Sequence, residues 1–256
     1  MIKKAVILAG GEGTRLRPVT LEIPKPLVPV QGVPILTWLV RLFSLHGVEE
    51  VIVIYPTRWK EAFEKWKNDV DLEKNSPLGK GRYRGVAIGL FEEREPMGTM
   101  GAIVHELHVG DDPIFVSNGD ELKGLDLTAL AATHSMRMAS HPELGATIAL
   151  VRVPNPSEYG VAEFEGGMIA HFHEKPEDPP TDLISSGIFV LNPSSLESAD
   201  RLRRFLMFEK DLFPQLAASG RLAGCTLEGP WYDCGTMERW EAAISEWPGL
   251  LIRGEK

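Results

Sequence analysis

Through the first half of the chain, short apolar runs alternate with stretches whose apolar residues recur every three or four positions. Residues 5–9 form a first apolar run, which stops at Gly10. Residues 35–46 carry apolar side chains at helical spacing, and Gly47 closes the segment as a helix-ending glycine does. A second apolar run covers residues 51–55, and a charged segment of helical period follows at 59–67. Residues 86–90 and 113–117 are further strand candidates, with a helix at 101–108 between them. Strand, helix, strand at this spacing predicts an α/β fold with a mostly parallel central sheet flanked by helices. In such sheets ligands bind beyond the carboxyl ends of the strands. Two polar, glycine-containing stretches fall there, residues 10–15 and Asn118-Gly119-Asp120.

After Asp126 the pattern shortens. Residues 127–134 read as a helix and 147–151 as a strand leading into a loop with Pro154 and Pro156. Residues 163–164, 169–172 and 188–191 are short β candidates, and 209–218 and 237–246 have helical period. This half reads as a small β-rich elaboration on one domain covering 1–256, whose two halves are 1–126 and 127–256. No internal repeat or low-complexity segment interrupts it.

Composition narrows the function classes. A net charge of −9 and a pI near 5.3 argue against a broad nucleic-acid surface, though a local basic cluster can still hold phosphate. The two cysteines, Cys225 and Cys234, have no metal-ligand spacing and form no disulfide framework, which fits a reduced, cytoplasmic setting. The basic start and first apolar run could be read as a secretory signal, but the run is too short for one and reads as a buried strand. No apolar run approaches the ~20 residues of a membrane span.

The chemistry begins where the first strand ends. Gly10-Gly11-Glu12-Gly13-Thr14-Arg15 places three glycines within four residues, so that amide groups can approach an anion unobstructed. Arg15 offers a forked pair of donors to phosphate. A plain glycine turn is the competing reading of the glycines alone. The loop matches neither a Walker A motif nor the dinucleotide fingerprint, which disfavours P-loop kinases and Rossmann dehydrogenases. Next, Pro24, Pro26 and Pro29 stiffen the segment around Lys25, otherwise an ordinary surface lysine.

The run from Leu8 and Ala9 through Gly10-Gly11-Glu12-Gly13-Thr14-Arg15-Leu16-Arg17-Pro18, then Pro24-Lys25-Pro26-Leu27-Val28-Pro29-Val30, resembles the signature of the sugar-1-phosphate nucleotidyltransferases. Similarity to the short, mannose-1-phosphate guanylyltransferase-like members extends over about residues 5–245. It implies a Rossmann-like, GT-A-like fold in which 1–126 binds nucleotide and 127–256 binds sugar phosphate. In this family Leu8, Ala9 and Gly10 to Thr14 would wrap the nucleotide, Arg15 would bind the triphosphate and Lys25 would stabilise the reacting phosphates. Glu95-Pro96-Met97-Gly98-Thr99-Met100-Gly101-Ala102 resembles the segment beside the base, and implies nucleotide contacts from Glu95, Gly98 and Thr99. It departs from the usual form at Met97 and at the bulky Met100. Thr99 as a helix cap is the structural alternative.

Val116-Ser117-Asn118-Gly119-Asp120 and Trp231-Tyr232-Asp233-Cys234-Gly235-Thr236 resemble the family's two acidic motifs. They imply that Asp120 and Asp233 hold Mg²⁺, a hard cation that prefers oxygen ligands. Each aspartate alone would more often be a turn or cap residue. Tyr159-Gly160-Val161, Glu174-Lys175-Pro176 and Ser185-Ser186-Gly187-Ile188 resemble the sugar-phosphate half. They imply sugar contacts from Gly160, Glu174 and Ser185, with Gly119 on the same side, and phosphate contact from Lys175. Many members carry asparagine where Ser185 stands, so the sugar contact differs here. A β-turn and a surface ion pair are the structural alternatives for the first two motifs.

The reaction so implied is Mg²⁺-dependent attack of a sugar 1-phosphate on the α-phosphorus of a nucleoside triphosphate, releasing pyrophosphate. Both reactants are anions, so positioning and charge neutralisation carry it, and none of the seven histidines is required. Glu92, Glu93 and Glu95 before the base-side segment could accept from guanine, which leans the base toward GTP ahead of UTP or dTTP; a solvated acidic loop is the other reading. No hexapeptide repeat is present, so nucleotidyl transfer alone is expected. Substrates are the expected partners, without nucleic acid or membrane, and the region of Trp240 and Trp247 could serve a homodimer contact. A nucleotide-sugar-dependent glycosyltransferase, a non-catalytic member of the same family, and a transferase for a non-sugar phosphate remain as alternatives.

Overall fold

The computed structural model describes residues 1–75 and 85–250. In chain order its elements are β1 (Lys4–Leu8), α1 (Val19–Glu22), β2 (Pro29–Val30), β3 (Val33–Pro34), α2 (Ile35–Leu45), β4 (Glu50–Pro56), α3 (Lys60–Asn75), β5 (Ala87–Glu93), α4 (Gly98–His105), β6 (Ile114–Asn118) and β7 (Glu121–Lys123). There follow α5 (Leu127–Ser140), β8 (Ala146–Arg152), β9 (Gly160–Glu165), β10 (Met168–Glu174), β11 (Leu183–Leu191), α6 (Phe213–Ala218), β12 (Leu222–Thr226), β13 (Trp231–Asp233) and α7 (Met237–Glu246). The chain divides into two compact units, each assembled from more than one stretch of sequence.

The first unit comprises Lys3–Glu95, Ser117–Leu125 and Gly229–Lys256. Its strands β1, β4 and β5 are parallel, with Lys4 opposite Glu50 and Glu50 opposite Ala87. Ala5, Val6, Ile7, Val51 and Val53 are fully buried, the continuous apolar run typical of strands covered on both faces. Helix α2 buries Ile35, Leu36, Leu39, Val40 and Phe43, a wide apolar stripe. Gly47 follows it with φ 77°, the left-handed conformation of a helix-ending glycine. Helix α3 buries Phe63, Trp66 and Val70 at helical spacing, and Trp66 Nε1 donates to Thr37 Oγ1 of α2 at 2.8 Å. A two-stranded antiparallel ribbon of β7 and β13 pairs Glu121 with Asp233 and Lys123 with Trp231. The tryptophans considered for a dimer contact are used inside this unit. Trp240 Nε1 donates to the Pro29 carbonyl at 2.9 Å, and Trp247, 2% exposed, packs edge-on against Trp38 and Tyr232.

The second unit comprises Met1–Ile2, Pro96–Val116 and Asp126–Glu228. Its strands form a mixed array in which β8 pairs antiparallel with β11 and parallel with β12. β10 pairs antiparallel with β12 and β9, so the β-rich elaboration is mostly antiparallel, with β8 and β12 as its parallel pair, whereas β1, β4 and β5 of the first unit are all parallel. Strands β12, β13 and β7 had no separate signal in the hydrophobic pattern. The helical segment at 209–218 is a π-helical turn, Phe208–Leu212, running into α6. Four phenylalanines, Phe172 on β10, Phe189 on β11, Phe208 and Phe213, pack ring to ring with centroids 4.9–5.8 Å apart. Helix α5 starts at Asp126, whose carboxylate accepts from the amides of Thr128 and Ala129.

His134 of α5 is 2% exposed and lies within hydrogen-bond distance of Thr147 Oγ1 through Nδ1 (2.9 Å) and of Asn192 Oδ1 through Nε2 (3.4 Å). Asn192 Nδ2 donates to the Leu144 carbonyl, so its Oδ1 is the acceptor facing the ring and the proton belongs on Nε2. Burial pushes the imidazole below its ordinary value of 6.5, against the smaller opposing effect of Asn192. Below pH 6.5 the unfolded chain therefore binds the proton that the folded chain refuses, and stability falls as pH falls. Chemical denaturation of the wild type between pH 7.5 and 5 should show this acid-side loss. Compared with His134→Asn, the wild type should lose stability more steeply below about pH 6.5.

Candidate active site

The loop glycines leave β1 at its carboxyl end, where the Ala9 amide donates to the Ile54 carbonyl of β4. Gly10, Gly11, Glu12, Thr14 and Arg15 are exposed, while Leu16 is buried and anchors the turn Thr14–Leu16. Gly13 has φ 62°, and a Cβ there would lie 2.8 Å from Thr20 Cγ2 and 3.2 Å from Lys25 Cβ. Thr20 Oγ1 donates to the Gly13 carbonyl at 2.7 Å. The loop is thereby locked against the segment that carries Lys25. Glu12 pairs with Arg58 at 3.2 Å on the surface.

Lys25 sits in a short turn between Pro24 and Pro26 and is 7% exposed, so the reading of an ordinary surface lysine does not hold. Its Nζ donates to Asp120 Oδ2 at 2.6 Å and stands 3.8 Å from Asp233 Oδ1. Asp120 is held at the end of β1 because the preceding residue, Gly119, donates its amide to the Leu8 carbonyl at 2.9 Å. A side chain at Gly119 would strike that carbonyl. Asp233 closes β13 and also accepts from Arg239 Nη1 at 2.7 Å. A Cβ at Gly235 would lie 2.8 Å from Asp233 Oδ1 and 3.2 Å from an Arg15 nitrogen, so Arg15 reaches the same place. Arg15, Lys25, Asp120 and Asp233 thus converge within the first unit, from positions up to 218 residues apart in sequence.

Two further charged residues complete the cluster. Lys123, whose side chain is fully buried, pairs with Glu121 at 3.0 Å and donates to the Asn118 carbonyl. Trp231 Nε1 donates to Glu121 Oε2. Burial disfavours the Asp120 carboxylate, but the charge and hydrogen bond of Lys25, with Lys123, outweigh it and hold the group below its ordinary range. Burial disfavours the charged Lys25 too, and Asp120, Asp233 and Glu121 reverse the balance and raise it. Glu121 is raised, by burial first and by its acidic neighbours, against the pull of Lys123. The Cys234 thiol beside them is pushed up to about 12, chiefly by burial, and stays protonated. Among the described residues, no group of three or more His, Cys, Asp or Glu side chains is arranged to enclose a metal.

Of the acidic residues before the base-side segment, Glu92 pairs with Lys60 at 3.2 Å and Glu95 is exposed. Glu93 is buried, with its Oε2 3.3 Å from where a Gly10 Cβ would stand.

In the second unit, Glu174 ends β10 and Lys175 follows it, with their charges 3.5 Å apart. Lys175 has φ 50°, a strained value for a residue with a side chain, and its amide donates to the Tyr159 carbonyl. Gly160 is the strand partner of Glu174, and Phe172 fills the space where a Gly160 side chain would go. Ser185 Oγ accepts from the Gly187 amide at 3.2 Å, where β11 breaks register against β8. Gly98 packs directly on the Leu206 carbonyl. Thr99 does not cap α4. Met97 holds the cap position, and the Thr99 hydroxyl donates to Glu209 Oε2 at 2.7 Å and accepts from the Phe208 amide. Met100 is fully buried and spends its bulk in the core.

Residues 4–247 match the family model described as nucleotidyl transferase. The chain belongs to the nucleotidyl transferase family. It is 36% identical over 255 residues to a mannose-1-phosphate guanylyltransferase of Mycobacterium tuberculosis, covering 98% of this chain and 65% of that protein. It is 37% identical over 238 residues to a mannose-1-phosphate guanylyltransferase catalytic subunit beta of Xenopus tropicalis, covering 91% and 61%. The chain therefore spans a little under two thirds of the length of these curated relatives. A solved UDP-glucose pyrophosphorylase complexed with UDP-glucose shares the fold, with a TM-score of 0.76 over 96% of this chain and 98% of that one at 22% identity.

The motifs alone did not reveal that Glu121, Lys123 and Arg239 join this cluster of charges, or that Glu209 accepts from Thr99. Lys123 and Glu121 carried a faint signal, charges flanking Leu122 beside an expected strand end. Arg239 and Glu209 had none, because their partners are distant in sequence. The loop geometry generates a test. Gly13→Ala puts a side chain at a left-handed position already filled by Thr20, and should lower unfolding stability by about 1–3 kcal/mol. Urea denaturation followed by circular dichroism measures it.

Proposed function

We propose that this chain transfers a nucleotidyl group from a nucleoside triphosphate to a sugar 1-phosphate, giving a nucleotide sugar and pyrophosphate. The observation that carries the reading is the convergence of Asp120 and Asp233 on the Lys25 amino group, beside Arg15, in a member of the nucleotidyl transferase family. The relatives' names favour GTP as the donor and mannose 1-phosphate as the acceptor.

Two carboxylates that face one ammonium group present oxygens to a single cation, which is the donor set a divalent metal such as Mg²⁺ accepts alongside water and phosphate. The residues therefore fit the metal, with Asp120 and Asp233 as its holders. A divalent cation there would supply Lewis-acid neutralisation of phosphate oxygens. The chain's own residues do the rest. Leu8 and Ala9 lead into the loop from Gly10 to Thr14, whose amides cradle phosphate, and Arg15 offers its fork to the departing pyrophosphate. Lys25, fixed by its proline-bounded turn, balances charge at the reacting phosphates. Lys175 meets the sugar phosphate, and Glu174 accepts from sugar hydroxyls, with Gly160, Ser185 and Gly119 on the sugar side. Glu95 and Gly98 remain on the base side. The attacking phosphate is already ionised, so no general base is needed. The cysteines are free thiols, in keeping with a reduced, cytoplasmic setting.

Pyrophosphate release from GTP, UTP, dTTP, CTP and ATP against several sugar 1-phosphates, with Mg²⁺ and with EDTA, tests the reading. Release is expected with GTP and mannose 1-phosphate, lost on chelation. Glycosyl transfer without pyrophosphate would refute it. Asp120→Asn and Asp233→Asn should each lower turnover by about 100-fold or more while the far-ultraviolet spectrum stays native. Near-normal turnover in either variant would remove that aspartate from the metal site.

A further inference from the structure

Glu209 is not among the residues to which the motifs assign a role, yet its surroundings are built with care. It sits in the π-helical turn Phe208–Leu212, a rare conformation that concentrates at functional positions. Phe208, its neighbour, packs on Phe189 of β11 and Phe213 of α6, and Phe213 packs on Phe172 of β10. Phe172 lies two residues before Glu174, and Phe189 four residues after Ser185. The turn also packs directly against β10. The aromatic cluster thus fixes Glu209 to the same two strands that carry Glu174, with Lys175 next after it, and Ser185.

The carboxylate itself is oriented. One oxygen accepts from Thr99 Oγ1 at 2.7 Å, and that hydroxyl is held in turn by the Phe208 amide at 3.0 Å. The Glu209 backbone amide adds a further donor. A carboxylate offers about four acceptor positions, so capacity remains for outside donors. Burial raises the group above its ordinary value, and Glu174 adds to that while Lys175 opposes it, which places both charges within electrostatic reach. Two acceptor carboxylates and one cation complement a ligand with several hydroxyl donors and one anionic group.

We infer that Glu209 is a second sugar-reading carboxylate beside Glu174, a specificity-determining residue that accepts from a hydroxyl of the sugar 1-phosphate and is aimed by Thr99. This rests on the proposed nucleotidyl transfer to a sugar phosphate. The test is steady-state pyrophosphate release from GTP with mannose 1-phosphate and its 2-, 3-, 4- and 6-deoxy analogues, for the wild type, Glu209→Gln and Thr99→Val. In Glu209→Gln the KM for mannose 1-phosphate should rise about tenfold or more, the loss of one charge-assisted hydrogen bond. The KM for GTP should stay within about twofold. One deoxy analogue that the wild type discriminates against should become equivalent to the parent sugar in the variant, and Thr99→Val should move the same analogue in the same direction to a smaller extent. A change in the KM for GTP instead, or unchanged sugar KM and unchanged deoxy discrimination, overturns the inference. If Glu209→Gln does not fold, Glu209→Asp is measured on the same panel, where an unaltered sugar KM overturns it and weakened discrimination at one hydroxyl supports it. A wild type that releases no pyrophosphate with any sugar 1-phosphate defeats the proposed function itself, and is distinguishable from an active wild type whose Glu209 variants behave normally.

Discussion

Lys25 is the residue on which the first unit's chemistry turns. Its ammonium group lies between Asp120 and Asp233, nearly out of contact with water. A charge in that position is tolerated only because it is paired, and the two carboxylates are tolerated close together only because it is there. The same balance extends outward through Lys123 with Glu121 and Arg239 with Asp233. Three carboxylates facing three cations leave the cluster near neutrality. Lys25, with Lys123, thereby favours the ionised form of Asp120, the state in which it can hold a cation.

The rigidity of this cluster comes from the backbone rather than from the ions. Gly13 and Gly119 let segments approach one another where side chains would collide, and the prolines around Lys25 stiffen its turn. The antiparallel ribbon of β7 and β13 sets Asp233 opposite Glu121 by hydrogen-bond register, so that the two acidic motifs meet without a direct bond between their side chains. Parallel β1, β4 and β5 put the ends of three strands on one side, and the glycine loop leaves from the first of them.

The second unit uses different means to place fewer charges. There an aromatic cluster holds a π-helical turn against β10 and β11, and a strained Lys175 follows the first of them. Strain at a lysine and a rare helical turn a short distance away are costs that a purely structural role does not require, and both lie where sugar-phosphate recognition is proposed.

Much of this was legible in the residues alone. Apolar runs of five to seven residues and helical stripes such as that of α2 announce buried strands and covering helices, because burial on a sheet or one helix face dictates a period. The glycine loop, the proline-bounded lysine and the two aspartate motifs carried their chemistry in their own order. What sequence order could not decide was partnership. Lys25 reads as a phosphate ligand, and only the fold shows it bridging two carboxylates. Thr99 reads as a cap or a nucleotide contact, and the fold gives its hydroxyl to Glu209, 110 residues away. The region of Trp240 and Trp247 reads as a possible dimer contact, and the fold gives Trp240 Nε1 to the Pro29 carbonyl and packs Trp247 on Trp38. The two discontinuous units are likewise invisible in a linear pattern. Local propensity and periodicity are properties of neighbouring residues, whereas charge pairing and close packing depend on distances in space, and the chain acquires those only when it folds.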